Sequence, residues 1–154
     1  MPKGYRIVRQ RFAANAFDGE GSRLFGGRWN KKGIRMVYTS ASASLAVLET
    51  FMHMGIDAHS ISHAIIEIDI PDEIIEEVTA EDLPDEWRDN PAPEACQKFG
   101  NDWIGSQRSA VLSVPSIVMP IERNYLINPS HIDYKKITIH EAVKYEYDDR
   151  MWKL

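Results

Sequence analysis

The apolar and polar positions of this chain change period several times, and the changes mark its elements. Tyr5–Gln10 (YRIVRQ) alternates in part and predicts a first strand. The Gly-, Asn- and Asp-rich run to Gly27 reads as a loop or short helix. Residues 28–39 read as a hairpin: a short strand at Arg28–Asn30, a turn over Asn30–Gly33, then a strand at Ile34–Thr39. SASASLAVLETFMHMG carries the best helical spacing, with Leu45, Leu48, Phe51 and Met52 in phase, Ser42 or Ser44 as cap and Gly55 as the stop.

Further on, Ser62–Pro71 alternates and predicts a strand closed by proline. DEIIEEV continues as a short strand, with a turn at Glu81–Pro84. A helix is expected from about Pro93 to Ser106. SAVLSVPSIVMP is a buried strand pair or one bent strand broken at Pro115, NYLINPSH a strand end and turn, and KKITIHEAVKYEYD a closing strand of period two. Strands and helices are interspersed without regular βαβ alternation, so the fold class is α+β, not a doubly wound parallel sheet. No repeat or linker divides the 154 residues, and one domain is expected.

Composition changes this picture little. The net charge of −5 argues against a general nucleic-acid surface. Within the acidic whole sits a basic cluster, Arg23, Arg28, Lys31, Lys32 and Arg35, which suits a small anionic ligand or a solvated turn. Cys96 is the sole cysteine, so neither a disulfide framework nor a thiol zinc site is expected. The five histidines show no metal-binding spacing, and no P-loop, GxGxxG or GxSxG is present. No metal and no cofactor are called for. The first residues hold no signal-like apolar run and no long apolar stretch follows, so a cytoplasmic protein with no membrane contact is expected.

The chemistry gathers around FGGRWNKKG, Phe25–Gly33. On a helical wheel with Leu45 at zero, Leu48 falls near 300°, Met52 near 340° and Glu49 at about 40°. Glu49 therefore borders the apolar face; a half-buried glutamate with its head in solvent is the plain alternative. Tyr38 ends the strand before that helix, where a core aromatic with its hydroxyl at the rim is the commoner case. Hairpin pairing would bring Arg28 alongside. A guanidinium, an aromatic platform and a carboxylate sharing a cleft suit a nucleotide whose N-glycosidic bond breaks: arginine for phosphate, tyrosine for the base, glutamate for a cationic sugar or its hydroxyls. Trp29 reads as core packing beneath the turn.

GGRWNKKGIRMVYTSASASLAVLE resembles the core motif of the RES domain family, toxins of bacterial RES–Xre toxin–antitoxin pairs. IERNYLINPSH and EYDDRMWKL resemble later segments, so the likeness runs from about Tyr5 to the end. The family's arginine, glutamate and serine match Arg28, Glu49 and Ser116. The resemblance implies an ADP-ribosyltransferase-like mixed β-sheet core with flanking helices. It implies NAD as substrate, cleaved between nicotinamide and ribose by water or by inorganic phosphate as co-substrate. Transfer of ADP-ribose to protein and a non-catalytic binding module are the alternatives. It assigns Arg28, Tyr38 and Glu49 to catalysis. Arg6 becomes a second phosphate contact, Gly27 a point of close backbone approach to the ligand, and Ser116 a group near the nicotinamide or ribose. It also implies a cognate Xre-type helix-turn-helix antitoxin, no direct nucleic-acid contact by the toxin, and a homodimer within a larger complex. Residues 81–100, acidic and proline-containing, are not assigned to a motif of the family, and their role stays open.

Overall fold

The computed structural model describes residues 1–54 and 60–153. Its elements run β1 (Lys3–Arg9), α1 (Glu20–Phe25), β2 (Val37–Ser40), α2 (Ala43–Phe51), β3 (His63–Asp69), β4 (Ile75–Glu77), α3 (Glu94–Ser106), β5 (Val111–Pro115), β6 (Arg123–Ile127), β7 (Thr138–Ile139) and β8 (Val143–Tyr145). The eight strands form one mixed sheet in the order β4-β5-β6-β2-β1-β3-β7, with β8 also on β3. Among the described residues only the β4–β5 pair is parallel. The architecture is α+β, as the interspersed pattern predicts.

The sheet has a narrow joint. β1 pairs with β3 over seven registered positions, Lys3↔Asp69 to Arg9↔His63, but meets β2 at Tyr5↔Ser40 alone. Side chains of directly opposed residues lie on one face. One face therefore carries Tyr38 and Ser40 of β2, Asn124 and Leu126 of β6, Leu112 and Val114 of β5, and Tyr5 and Ile7 of β1. α3 and residues 78–87 cover its β5–β6 end, where Val78, Leu83, Trp87 and Trp103 pack on Leu112, Val114 and Leu126. α2 and the C-terminal residues cover its β1–β3 end, where Ala46 and Tyr147 pack with Ile7. The other face holds a core of Val37, Ile66, Ile68, Val111 and Ile127.

The expected hairpin at 28–39 is not formed. Residues 28–30 make a tight turn closed by an isolated Gly27↔Asn30 bridge, and β2 starts only at Val37, pairing with β6 and β1. The physical reason is Asn30. It is fully buried, and its Nδ2 reaches the carbonyls of Ser22, Lys31 and Ile34 while Oδ1 accepts from Tyr38, which bends the chain around the side chain. The closing strand is likewise broken into β7 and β8, both against β3, after a 3-10 turn at Ile132–Lys136. The strand end at NYLI is a full strand, β6, and SAVLSVP is a single strand, β5, that stops at Pro115.

α2 begins as expected, with Ser42 Oγ accepting from the Leu45 amide at 3.1 Å. The Gly55 stop lies outside the described residues. The wheel of α2 needs correction: Leu45 and Ala46 are buried, whereas Leu48 is 38% and Met52 64% exposed. The buried stripe is thus centred near Glu49 instead of beside it. No helix among the described residues is long and apolar enough to cross a membrane.

Candidate active site

Glu49 projects from the sheet-facing stripe of α2 into a polar group built by three other elements. Its Oε1 accepts from Ser116 Oγ at 2.6 Å and from Asn124 Nδ2 at 2.9 Å. Ser116 follows the end of β5 and is fully buried. Its oxygen also accepts the amides of Val118 and Met119, each at 3.1 Å. Asn124 stands on β6 opposite Ser40 of β2, whose Oγ lies 2.8 Å from Asn124 Oδ1. One carboxylate oxygen is therefore held from two sides, and Oε2 makes no hydrogen bond to a described residue.

Two residues along β2 on the same face, about 7 Å from Ser40 at the rise of a strand, stands Tyr38. Its hydroxyl donates to Asn30 Oδ1 at 2.5 Å and accepts the Trp29 amide at 3.0 Å. Burial pushes this phenol's pKa far up; the Trp29 amide, the Arg28 charge and Asn30 act against that rise. The phenol is thus a protonated pin for the turn that carries Arg28. The structure also gives Gly27 a role: a Cβ there would stand 2.6 Å from the Tyr38 hydroxyl oxygen and 3.0 Å from Asn30 Oδ1. Its close approach is to Tyr38, where the sequence suggests a ligand.

Arg28 lies at the far side of Tyr38. Its Nη1 donates to the carbonyls of Trp87 at 3.0 Å and Asp89 at 2.8 Å. That nitrogen's two protons are spent on main chain, and an anion would meet the rest of the fork. Segment 84–91 also sends Arg88 Nη2 to the carbonyl of Ile117, one residue past Ser116. This acidic stretch thereby ties the arginine side of the site to the serine side. α3 fastens the turn from outside: Gln97 donates to the Gly27 carbonyl, Asn101 accepts the Lys31 amide, and Gly100 has no side chain to strike the Trp29 carbonyl. Trp29 is core, 3% exposed and edge-on to Phe99. Cys96 is fully buried, and desolvation raises its thiol pKa against the Arg28 charge, so it is an inert packing group.

Arg6 does not join this set. Tyr5 and Ile7 face α2, so the intervening Arg6 points to the opposite face. There its Nε holds the Ala16 carbonyl at 2.7 Å and its Nη1 the Tyr38 carbonyl at 2.9 Å, bridging the narrow β1–β2 joint. Desolvation brings its pKa down to about 10. The basic cluster is also less free than its sequence suggests: Arg23 and Arg35 pair with Glu20, and Lys31 with Glu94. A cavity of about 540 Å³, lined among others by Ala16, Phe17, Arg35, Ile66 and Tyr134, opens on the Arg6 side; Arg28, Tyr38, Glu49 and Ser116 do not line it.

Sequence reasoning names Arg28, Tyr38, Glu49 and Ser116 and misses Asn124, Ser40 and Asn30. A signal for the first two exists: Asn124 and Ser40 alternate with Leu126 and Tyr38, so each puts a polar group at an inward position of period two. The trio of half-buried Glu67 and Asp69 with exposed His140 could be drawn together by a cation, but Lys3 already sits 2.6 Å from Asp69 and His140 2.8 Å from it.

The sequence model of the RES domain family matches residues 3–148. A Sphingobium sp. (strain YBL2) protein named Prs ADP-ribosylating toxin is 40% identical over 143 residues, 91% of this chain and 89% of that protein. Proteins named Toxin Res are 35% identical in Yersinia enterocolitica serotype O:8 (96% of this chain, 97% of theirs) and 36% in Photorhabdus laumondii (97% and 96%). Among solved structures, a chain of the M. tuberculosis MbcT–MbcA toxin–antitoxin complex superposes with a TM-score of 0.76 at 18% identity, covering 94% of this chain and 84% of its own. That last likeness speaks to the fold.

Proposed function

The chain belongs to the RES domain family, and on that premise we propose that it is the toxin of a toxin–antitoxin pair and an enzyme that cleaves the nicotinamide–ribose bond of NAD. The observation that carries the reading is the Glu49 carboxylate, with Oε1 anchored by Ser116 and Asn124 and Oε2 without a hydrogen bond among the described residues, on the sheet face that also carries Tyr38. As the C1′–N bond breaks, its electron pair leaves with nicotinamide and C1′ becomes cationic. Fixed negative charge beside the ribose stabilises that state without reorganising. Arg28 holds the pyrophosphate through the guanidinium nitrogens that Trp87 and Asp89 do not take, and the Tyr38 ring floors the nicotinamide end. Water or inorganic phosphate then bonds to C1′, and the proton that water sheds passes to solvent. NAD is the substrate; neither metal nor cofactor enters the scheme.

The test is nicotinamide release by the purified chain, with and without phosphate, beside Glu49→Gln. Loss of release in that variant with an unchanged melting temperature is expected; full release overturns the reading. The product, free ADP-ribose or its C1′ phosphate ester, identifies the acceptor.

Transfer of ADP-ribose to a protein is a second reading, favoured by the name of the 40% identical Sphingobium relative. A labelled protein product in place of a small one would support it. For partners, the reading includes a cognate Xre-type helix-turn-helix antitoxin and a toxin homodimer in a larger cytoplasmic complex, in line with the toxin–antitoxin assembly of the structural neighbour. Co-purification of the neighbouring helix-turn-helix protein with the chain tests that part.

A further inference from the structure

We propose that Asn124, oriented by Ser40, is a positioning residue that sets which oxygen of Glu49 faces the substrate; this rests on the proposed NAD cleavage. A carboxylate can only accept, so the Asn124 group 2.9 Å from Glu49 Oε1 is the amide nitrogen. Oδ1 then points the other way, where Ser40 Oγ lies at 2.8 Å and donates its single proton. Ser40 is buried, 4% exposed, and the Ser40↔Asn124 register of β2 and β6 holds the two side by side. With Oδ1 occupied, a flip of the amide would set Oδ1 against a carboxylate oxygen and leave the Ser40 proton facing an NH₂ group.

Ser116 completes the logic from the other side. The Val118 and Met119 amides take its two lone-pair directions, so its proton has Glu49 as its outlet. It is neither a nucleophile nor free to bind ribose. Both donors converge on Oε1. The carboxylate plane is thereby fixed, and Oε2, which no described residue binds, is the oxygen presented. Misplacing a reacting group by about 1 Å costs on the order of a hundredfold in rate, which is the scale on which Asn124 acts.

The experiment is a cycle of Ser40→Ala, Asn124→Ala and the double variant in nicotinamide release, with melting temperatures. Asn124→Ala is expected to lower kcat by about 30- to 100-fold with KM for NAD changed less than threefold. Ser40→Ala lowers kcat by about 3- to 10-fold, since the amide is then free to turn. In the Asn124→Ala background Ser40→Ala has no further effect, which a general packing role would not produce. Asn124→Asp, which sets a second carboxylate against Glu49, does not rescue. Wild-type kcat in Asn124→Ala, a loss confined to KM, or independent effects of the two serine and asparagine changes overturns the proposal.

A second arm does not depend on turnover. The Asn124 side-chain NH₂ resonances in a ¹H–¹⁵N spectrum are expected to move in both Ser40→Ala and Glu49→Ala. If they do and the wild-type chain releases no nicotinamide, the arrangement stands and NAD cleavage falls. If neither substitution moves them, the positioning role falls whatever the activity.

Discussion

Ser116 and Glu49 are 67 residues apart in sequence and joined by a 2.6 Å hydrogen bond from Oγ to Oε1. The serine is fully buried and anchored by two amides of the loop that follows β5, so it reports the position of that loop to the carboxylate on α2. This makes Ser116 a support for Glu49, where the family resemblance puts it beside the ribose. Ser116→Ala is accordingly expected to lower kcat by about 100-fold while KM for NAD stays nearly constant. It also leaves the Val118 and Met119 amides without their acceptor, a cost of about 1–3 kcal/mol each where buried. Steady-state nicotinamide release and a urea melt check both parts; a rise in KM with kcat intact would restore the ribose-contact role.

Arg28 is held by Trp87 and Asp89 carbonyls through one nitrogen. Lysine has no planar fork and cannot span two carbonyls and a phosphate at once. Arg28→Lys is therefore expected to behave almost as badly as Arg28→Ala, with KM for NAD raised at least about tenfold in each, the scale of one or two charge-assisted bonds. Isothermal titration of NAD into the Glu49→Gln background isolates the binding part. Near-normal affinity in Arg28→Lys would remove the bidentate requirement.

The turn that carries Arg28 depends on the Tyr38 phenol. Tyr38→Phe strips a donor from Asn30 Oδ1 and an acceptor from the Trp29 amide, both buried, and is expected to cost about 2 kcal/mol. Gly27→Ala puts a Cβ 2.6 Å from the same hydroxyl and should destabilise the wild type more than it does Tyr38→Phe. The sign with pH follows from the raised phenol pKa. Stability from a raised acid is fully present below the unfolded value near 10 and is lost as pH rises beyond it. Chemical denaturation at pH 8 and pH 10.5 should show a fall that Tyr38→Phe makes shallower.

What was legible in the chain was whatever local period or capping controls. The Ser42 cap, the β3 alternation and the 94–106 helix follow from their own residues. The pairing of β2 did not, because its partner β6 lies about 85 residues on and no local pattern distinguishes a hairpin strand from one that pairs far away. Asn30 made the hairpin reading fail: one buried side chain replaces the main-chain ladder with four bonds of its own. In the site, the apolar spacing alone puts Glu49 at the edge of the stripe, because it counts Leu48 and Met52 as core, yet both face out. Arg6 sat beside residues of the right face with a period-two offset, a difference that only the sheet register reveals.

His63 carries a pH dependence on the acid side of neutrality. It stands at the start of β3, 3% exposed, with its ring edge-on to Tyr147 at 5.1 Å. Burial pushes the imidazole pKa below its ordinary value, the Arg9 charge acts the same way, and a hydrogen bond to Ile61 opposes them. A base with a depressed folded pKa binds its proton more readily in the unfolded chain. Its contribution is thus fully present above the unfolded value of about 6.5 and is lost as pH falls through that value. Urea midpoints are expected to drop between pH 7.5 and pH 5, before the carboxylates titrate. His63→Phe keeps an aromatic edge against Tyr147 and removes the titrating group, so its midpoint should stay flat over that window. An equal drop in the variant would assign the acid sensitivity to another group and leave His63 a packing residue only.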